Sequence, residues 1–304
     1  YPMSELNVEA WEKHIQENFF PDNSFASKSI DDSAFVNYHR VTIPNAGAPS
    51  NVEKNRSVFP ATVKTRNDKA VAYELDIFSS DPIRLHNAKD VELSYSKRNS
   101  VIYNDKSELM RVSHQHILEQ WAKNHAGVVR TNGGLMRAHT YSGATGKRKI
   151  ITSDDILELQ TQFDLQGLPE EGRYLLLDPM MYNKFLGSLN LADKHAFLAS
   201  ADAQRGILGQ LYGFHLMKRA KVLRLKGDGE TILFEGDAHE ATEVGAGIAW
   251  QESCVSRALG EINLHYNPDD PTYYGPVLSF DQRVGGSGRR ADKAGVMLLV
   301  ESAE

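Results

Sequence analysis

The sequence predicts an α+β fold, and three observations predict it. One amphipathic helical pattern, over residues 104–125, is longer than any other. It is preceded by a β-rich stretch with no helical pattern to cover it, and followed by a region where helical and strand patterns alternate. Strand-like segments then run to the end of the chain, an order of elements that fits mixed layers better than an all-helical or all-strand core.

Composition sets the bounds. The chain has 304 residues, 41% hydrophobic and 24% charged, the profile of a globular protein of one large domain or two modest ones. That length buries a core without disulfides. The formal charge of −6 lacks the basic excess of a protein that grips nucleic-acid phosphates. The single cysteine, Cys254, makes no internal disulfide and reads as a small, partly buried residue. No apolar run reaches about 18 residues, the length that spans a bilayer. The opening residues Tyr1-Pro2-Met3-Ser4-Glu5-Leu6 show no basic region followed by an apolar run, so no secretory signal is expected. Repeats and low-complexity tracts are absent from the sequence.

Taken in order, Val8, Trp11, Ile15 and Phe19 fall at helical spacing, and Pro21-Asp22-Asn23 ends that helix. Residues 35–43 are rich in β-formers and Pro44-Asn45-Ala46-Gly47 breaks them. Residues 61–66 and 70–78 read as two strands around the turn Asn67-Asp68-Lys69, a β-hairpin with Val71, Tyr73, Leu75 and Ile77 on one face. Asp105 and Glu108 have capping-box spacing at the start of the long helix, Leu109, Val112, His116 or Ile117, and Trp121 supply its face, and Gly127 is its stop. Residues 133–149 read as a glycine-rich connector. Thr152 or Ser153 caps a helix with Ile156, Leu159, Gln160 and Phe163 aligned, Gly167-Leu168-Pro169 ends it, and residues 173–177 suit a fully buried strand. Residues 180–189 form a short helix and 213–225 a strand region. Residues 248–250, 262–266, 277–281 and 296–300 are strand-like, with loops expected at 267–271 and 285–290.

No catalytic constellation emerges. Gly143-Ala144-Thr145-Gly146-Lys147-Arg148 has too few residues between its glycines for a phosphate loop, and Arg148 stands where Ser or Thr is needed. His114 and His116 are two apart, whereas a helical zinc pair wants spacing four; His139, His195, His215, His239 and His265 are scattered singly. Asp154-Asp155 suits the first turn of a helix, and Asp269-Asp270 lies between prolines. Gly286-Ser287-Gly288 lacks the spacing of a nucleophile elbow, and Arg289 and Arg290 alone are too few for a nucleic-acid footprint. The expectation is a non-enzyme with no cofactor and no metal site.

The order of several phrases resembles the Hong Kong 97-type capsid fold of tailed bacteriophages. The resemblance covers about residues 8–304. Val41-Thr42-Ile43-Pro44, Phe59-Pro60-Ala61 and Thr65-Arg66-Asn67-Asp68 are similar to that family's extended loop. Tyr73-Glu74-Leu75-Asp76, Asp81-Pro82-Ile83-Arg84 and Glu92-Leu93-Ser94-Tyr95-Ser96-Lys97-Arg98 resemble the lead into its spine helix. The 143–149 and 172–179 phrases resemble the entry to its axial domain, and the glycine-punctuated 206–214 phrase resembles a strand entry within it. The resemblance implies an N-terminal arm at 1–37, an extended loop and lead-in at 38–98, a peripheral domain with the spine helix at 99–149, an axial domain at 150–244, and return strands of the peripheral domain at 245–304. It implies a virion subunit that assembles with copies of itself into pentamers and hexamers in the bacterial host cytoplasm, with a separate scaffolding protein and a portal as partners. Packaged DNA would be met only through weak inner-surface contacts, and no membrane is involved. Lys54, Arg56, Phe59, Lys64, Arg66, Asp68 and Lys69, all on the loop, are the expected assembly contacts. The chain begins near its first helix, so no fused scaffold is expected in it, and no cross-linking Lys–Asn pair is assigned. A bacterial encapsulin shell shares the fold, and an α/β enzyme centred on 152–225 is the remaining alternative. Independently of any family, an extended hairpin exposes strand edges that a neighbour must cover.

Overall fold

The computed structural model describes residues 25–37, 39–44, 52–57, 59–60, 70–84, 94–202, 206–272 and 275–304. The helix expected over 8–20 and the hairpin turn and strand expected over 61–69 lie outside the described residues.

The larger sheet is built around β15 (Val244–Gln251). Along one edge runs β18 (Val296–Val300), followed by β7 (Gly127–Arg130). The other edge carries β10 (Arg173–Leu177) and then β12 (Phe214–Lys218) and β11 (Gly209–Leu211), while β13 (Leu223–Leu225) and β14 (Ile232–Leu233) extend its near half. Every residue of β10, β15 and β18 is buried, because both faces of the sheet are covered. Alternation sorts the side chains. Tyr174, Leu176, Ile248, Trp250 and Leu298 face the long helix α1 (Ser94–Lys123). Leu175, Leu177, Ala249 and Leu299 face α2 (Ser153–Leu165), α3 (Pro179–Ser188) and α4 (Leu191–Ala199) through Ile156, Leu159, Phe163, Phe185 and Phe197.

The second sheet is a long hairpin, β16 (Val255–Asp270) with β17 (Gly275–Gly288). Short β1 (Ile30–Asp31) joins β16 in parallel, and β5 (Asp76–Ser79) and β6 (Ile83–Arg84) join β17. Helix α1 crosses one face. The three-stranded base of the arm, β2 (Val36–Asn37), β3 (Arg40–Ile43) and β4 (Val71–Glu74), covers the other, with Val41, Ile43 and Leu75 packed on Ala258. Residues 25–32 strap the two sheets together. Phe25 lies edge-on to Trp121 at 5.7 Å and to Trp250 at 6.3 Å, Trp250 Nε1 donates to the Lys28 carbonyl at 2.8 Å, and Arg257 donates to the Ser29 carbonyl at 3.1 Å.

Several expectations need correction. Helix α1 starts at Ser94 rather than near 104, so Asp105 and Glu108 sit inside it and cap nothing. The preceding residues are polar but contain no Gly or Pro, so nothing breaks the helix there. At 1.5 Å per residue it runs about 45 Å. Gly127 is no stop; the helix ends at Lys123 and Gly127 opens β7. The 70–78 strand is two strands in different sheets. Its break falls at Leu75, which is buried under the arm base, and Ile77 turns outward to solvent instead of sharing the inward face.

Residues 285–288 are strand, not loop. Their glycines mark close approach: a Cβ on Gly286 would lie 3.1 Å from Ile117 and from Trp121 Nε1, and one on Gly285 3.1 Å from the Glu74 carbonyl. Residues 267–270 also stay in strand, with a bulge between Asn267 and Asp270 that accommodates Pro268, which has no N–H to donate. The 133–149 connector contains a hairpin, β8 (Leu135–Arg137) with β9 (Lys147–Lys149). Strands β15 and β18 pair inside the larger sheet, and within 245–304 it is the β16–β17 hairpin that carries α1.

Candidate assembly surfaces

The arm leaves its own base at Pro44. Between 52 and 60 its described side chains stand in solvent: Val52 is 92% exposed and Phe59 76%. Lys54 is exposed, whereas Arg56 is partly covered and paired with Glu53 at 3.2 Å. Lys64, Arg66, Asp68 and Lys69 lie outside the described residues. Val52 was missed in the sequence reading. A lone valine in a polar run carries no periodic signal, and only its exposure beside Phe59 marks it. The same holds for Phe35 and Ile77, both more than half exposed. A residue pair such as Val52 and Phe59 costs hydration free energy while bare, on the order of 1.5–3 kcal/mol for each side chain that a partner buries fully.

The axial helices add exposed Leu165 on α2 and Leu191 on α4. Helix α4 was missed as well. Its signal is Asn190, whose side chain accepts from the Asp193 N–H at 2.9 Å as an N-cap. By contrast α2 begins as read. Asp155 accepts from the Thr152 N–H at 2.8 Å and from its hydroxyl at 3.0 Å, so of the Asp154-Asp155 pair in the first turn it is Asp155 that closes the cap.

The groups examined for chemistry have structural partners. Arg148 is buried and donates to the Thr242 and Glu243 carbonyls at 3.1 and 3.0 Å. Arg289 pairs with buried Asp32 at 2.8 Å. Arg290 pairs with Asp292, and this hydrogen bond holds the Asp292 carboxyl down at about 2. His114 Nδ1 meets the Met110 carbonyl at 2.7 Å, and burial lowers its pKa. His116 turns the other way to Asp76 at 3.1 Å, also lowered by burial although Asp76 opposes this. His239 stacks on Tyr141 at 4.4 Å, and His265 meets Asp281 at 3.5 Å. Cys254 is buried, its sulfur 2.4 Å from where a Cβ on Gly295 would stand. Among the described residues no three His, Cys, Asp or Glu side chains gather as a metal site. No helix among them is long and apolar enough to cross a membrane.

A cleft of about 630 Å³ lies where α1 meets the larger sheet, lined among others by Gln115, Glu119, Tyr141, Arg224 and Glu235. Burial pushes the Glu119 carboxyl up to about 7, although Gln115 Nε2 donates to it at 3.1 Å. Arg224 is turned to Glu243 at 3.1 Å and the Phe234 carbonyl at 2.9 Å. Gln115 Nε2 also donates to the Val222 carbonyl at 2.8 Å and Arg111 pairs with Glu235 at 2.9 Å, and these two contacts tie the helix to the sheet edge.

No protein-family model and no curated protein matches the sequence. Solved structures do. The chain is similar to the capsid structure of cyanophage P-SCSP1u (15% identity, TM-score 0.56, 91% of this chain and 87% of that one). It is similar to the capsid asymmetric unit of cyanophage Pam1 (10% identity, TM-score 0.59, 92% of each chain). It is also similar to a virus-like particle from Pyrococcus furiosus (6% identity, TM-score 0.55, 96% and 98%). At such identities the likeness establishes the fold, and over nearly its full length this chain has the Hong Kong 97-type capsid fold.

Proposed function

We propose that this protein is the major capsid protein of a tailed bacteriophage, a structural subunit and not an enzyme. Copies join as pentamers and hexamers into an icosahedral shell that encloses DNA, assembled in the bacterial host cytoplasm with a separate scaffolding protein and a portal. The observation that carries the reading is a capsid fold over nine tenths of both chains together with an arm whose described outer part, 52–60, has bare apolar side chains. Burying those groups against a neighbour is favourable, and many modest contacts of this kind add up to a closed shell. Lys54, Arg56 and Phe59 are the described contacts in this reading, with Lys64, Arg66, Asp68 and Lys69 further along the same arm. With a net charge of −6, the inner surface meets DNA weakly.

A second reading is an encapsulin-type shell with an enzyme as cargo; the likeness to a virus-like particle from Pyrococcus furiosus shows that the fold also builds a particle described without reference to a phage. Sedimentation velocity and light scattering of the full chain test both readings. Closed particles or capsomer rings are expected, containing nucleic acid when isolated from a phage lysate. Particles filled with an enzyme support the compartment, and a 33.9 kDa monomer under every condition contradicts both.

A further inference from the structure

His139 stands between two carboxylates. Its Nε2 lies 3.0 Å from Asp178 Oδ2, and its Nδ1 faces Glu301 Oε1 at 3.7 Å. Three separate elements meet here. His139 follows β8 in the hairpin, Asp178 is the N-cap of α3 and already accepts from the Met180 and Met181 N–H groups at 2.7 and 2.8 Å, and Glu301 follows β18. Glu301 is 1% exposed, and its other oxygen takes the Gly245 N–H at 3.3 Å. Gly245 leaves room for this: a Cβ there would lie 3.1 Å from Glu301 Oε2 and 3.4 Å from Asp178 Oδ2. The cation Arg148, on β9, also acts on both His139 and Glu301.

The geometry requires a proton. A neutral imidazole has one N–H and can donate to only one of its two carboxylates. If Nε2 donates to Asp178, the Nδ1 lone pair points at a buried Glu301 oxygen. Neither of those two atoms has another hydrogen-bond partner. Only a proton on Nδ1 or on Glu301 turns that repulsive contact into an attractive one, and an unmatched buried charge is costly.

We infer that His139, Asp178 and Glu301 form a proton-dependent latch that helps hold the β8–β9 hairpin on the larger sheet, beside the Arg148 bonds to the Thr242 and Glu243 carbonyls, and loosens it when the shared proton leaves. The latch is a property of the folded subunit and does not depend on the assembly reading. Titration supports it. Burial pushes Glu301 up to about 8, with Asp178 adding to the rise and His139 opposing it. Burial works against a charged His139, yet the hydrogen bond to Asp178 and the charge of Glu301 outweigh it and raise its pKa. Both shifts are upward. The stabilisation is therefore complete below the ordinary values of the two groups and is lost as pH rises through about 8.

Hydrogen exchange of the intact chain tests this, read at the amides of 135–149 and corrected for intrinsic rates. Protection should fall by about tenfold between pH 6.5 and 8.5, no more than one proton's linkage allows. In Glu301→Gln the carboxamide accepts from a protonated Nδ1 and donates to a neutral one, so the contact is met at any pH and the slope in protection should be lost. A wild-type hairpin with pH-independent protection overturns the latch. So does a Glu301→Gln hairpin that keeps the wild-type slope. Should that variant fail to fold, NMR of ring-labelled histidine in the wild type decides: the His139 ring must report a titration above the ordinary histidine value, through its own proton or through loss of the proton on Glu301, and a ring whose only midpoint lies at or below that value contradicts the proposal.

Discussion

Gly286 is where the spine helix and the long hairpin come closest, with Ile117 and Trp121 both 3.1 Å from the position of a Cβ. A branched side chain has no room there, so Gly286→Val should cost about 1–3 kcal/mol of stability. Gly134→Ala, with nothing within 4 Å, should stay within about 0.5 kcal/mol. Urea denaturation of the two variants checks the pair, and equal losses would contradict the close approach. Arg173 makes a comparable test of polar burial. It is fully buried, donates to the Pro169 and Leu168 carbonyls at 2.8 and 2.7 Å and pairs with Asp164 at 2.8 Å. Arg173→Met leaves those two carbonyls without their donor and should lower stability by about 2–4 kcal/mol. A loss below about 0.5 kcal/mol in thermal denaturation would show that the loop before β10 holds itself.

Among the elements, α1 and the strands it covers decide the architecture. Trp121 is wholly buried between the hairpin and the strap, and its Nε1 donates to the Ser256 carbonyl at 2.8 Å. Trp121→Ala should cost about 3–5 kcal/mol, measured by urea unfolding. Its spacing with Ile117 made the C-terminal half of α1 legible in the sequence, and β10, apolar after Arg173, and all-apolar β18 were legible as unbroken apolar runs, because both faces of their sheet are packed. The N-terminal part of α1 was not legible because no apolar residue follows Tyr95 before Val101, so the sequence starts no stripe there. The glycines at 285–288 were misread because room for a crossing helix and freedom for a turn ask for the same residue. Helix α4 escaped because only Phe197 among its residues is buried, too few to set a stripe. Of the proposed assembly contacts, Phe59 lay in a loop phrase that carried the resemblance, whereas Val52 needed coordinates. The three members of the proton latch come from positions 139, 178 and 301, and no local pattern joins residues so far apart in the chain.

For the molecule as a whole, the subunit is rigid where the two sheets meet and bare where the arm extends. The strap of 25–32, α1 and the arm base cover the hairpin on both faces, so the base of the arm is part of the folded subunit. Beyond it, Val52 and Phe59 have no cover. Replacing both with serine should leave thermal stability within about 0.5 kcal/mol, since neither is buried, while lowering the yield of sedimenting particles by at least about tenfold. An unfolded double variant, or full particle yield, would assign these side chains some other role. The central claim is that a second copy covers the arm. Cryo-electron microscopy of assembled particles tests it most directly. The account predicts that Val52 and Phe59 lie buried against a neighbouring subunit in every ring; an arm folded onto its own subunit, or left in solvent within a closed shell, would contradict it.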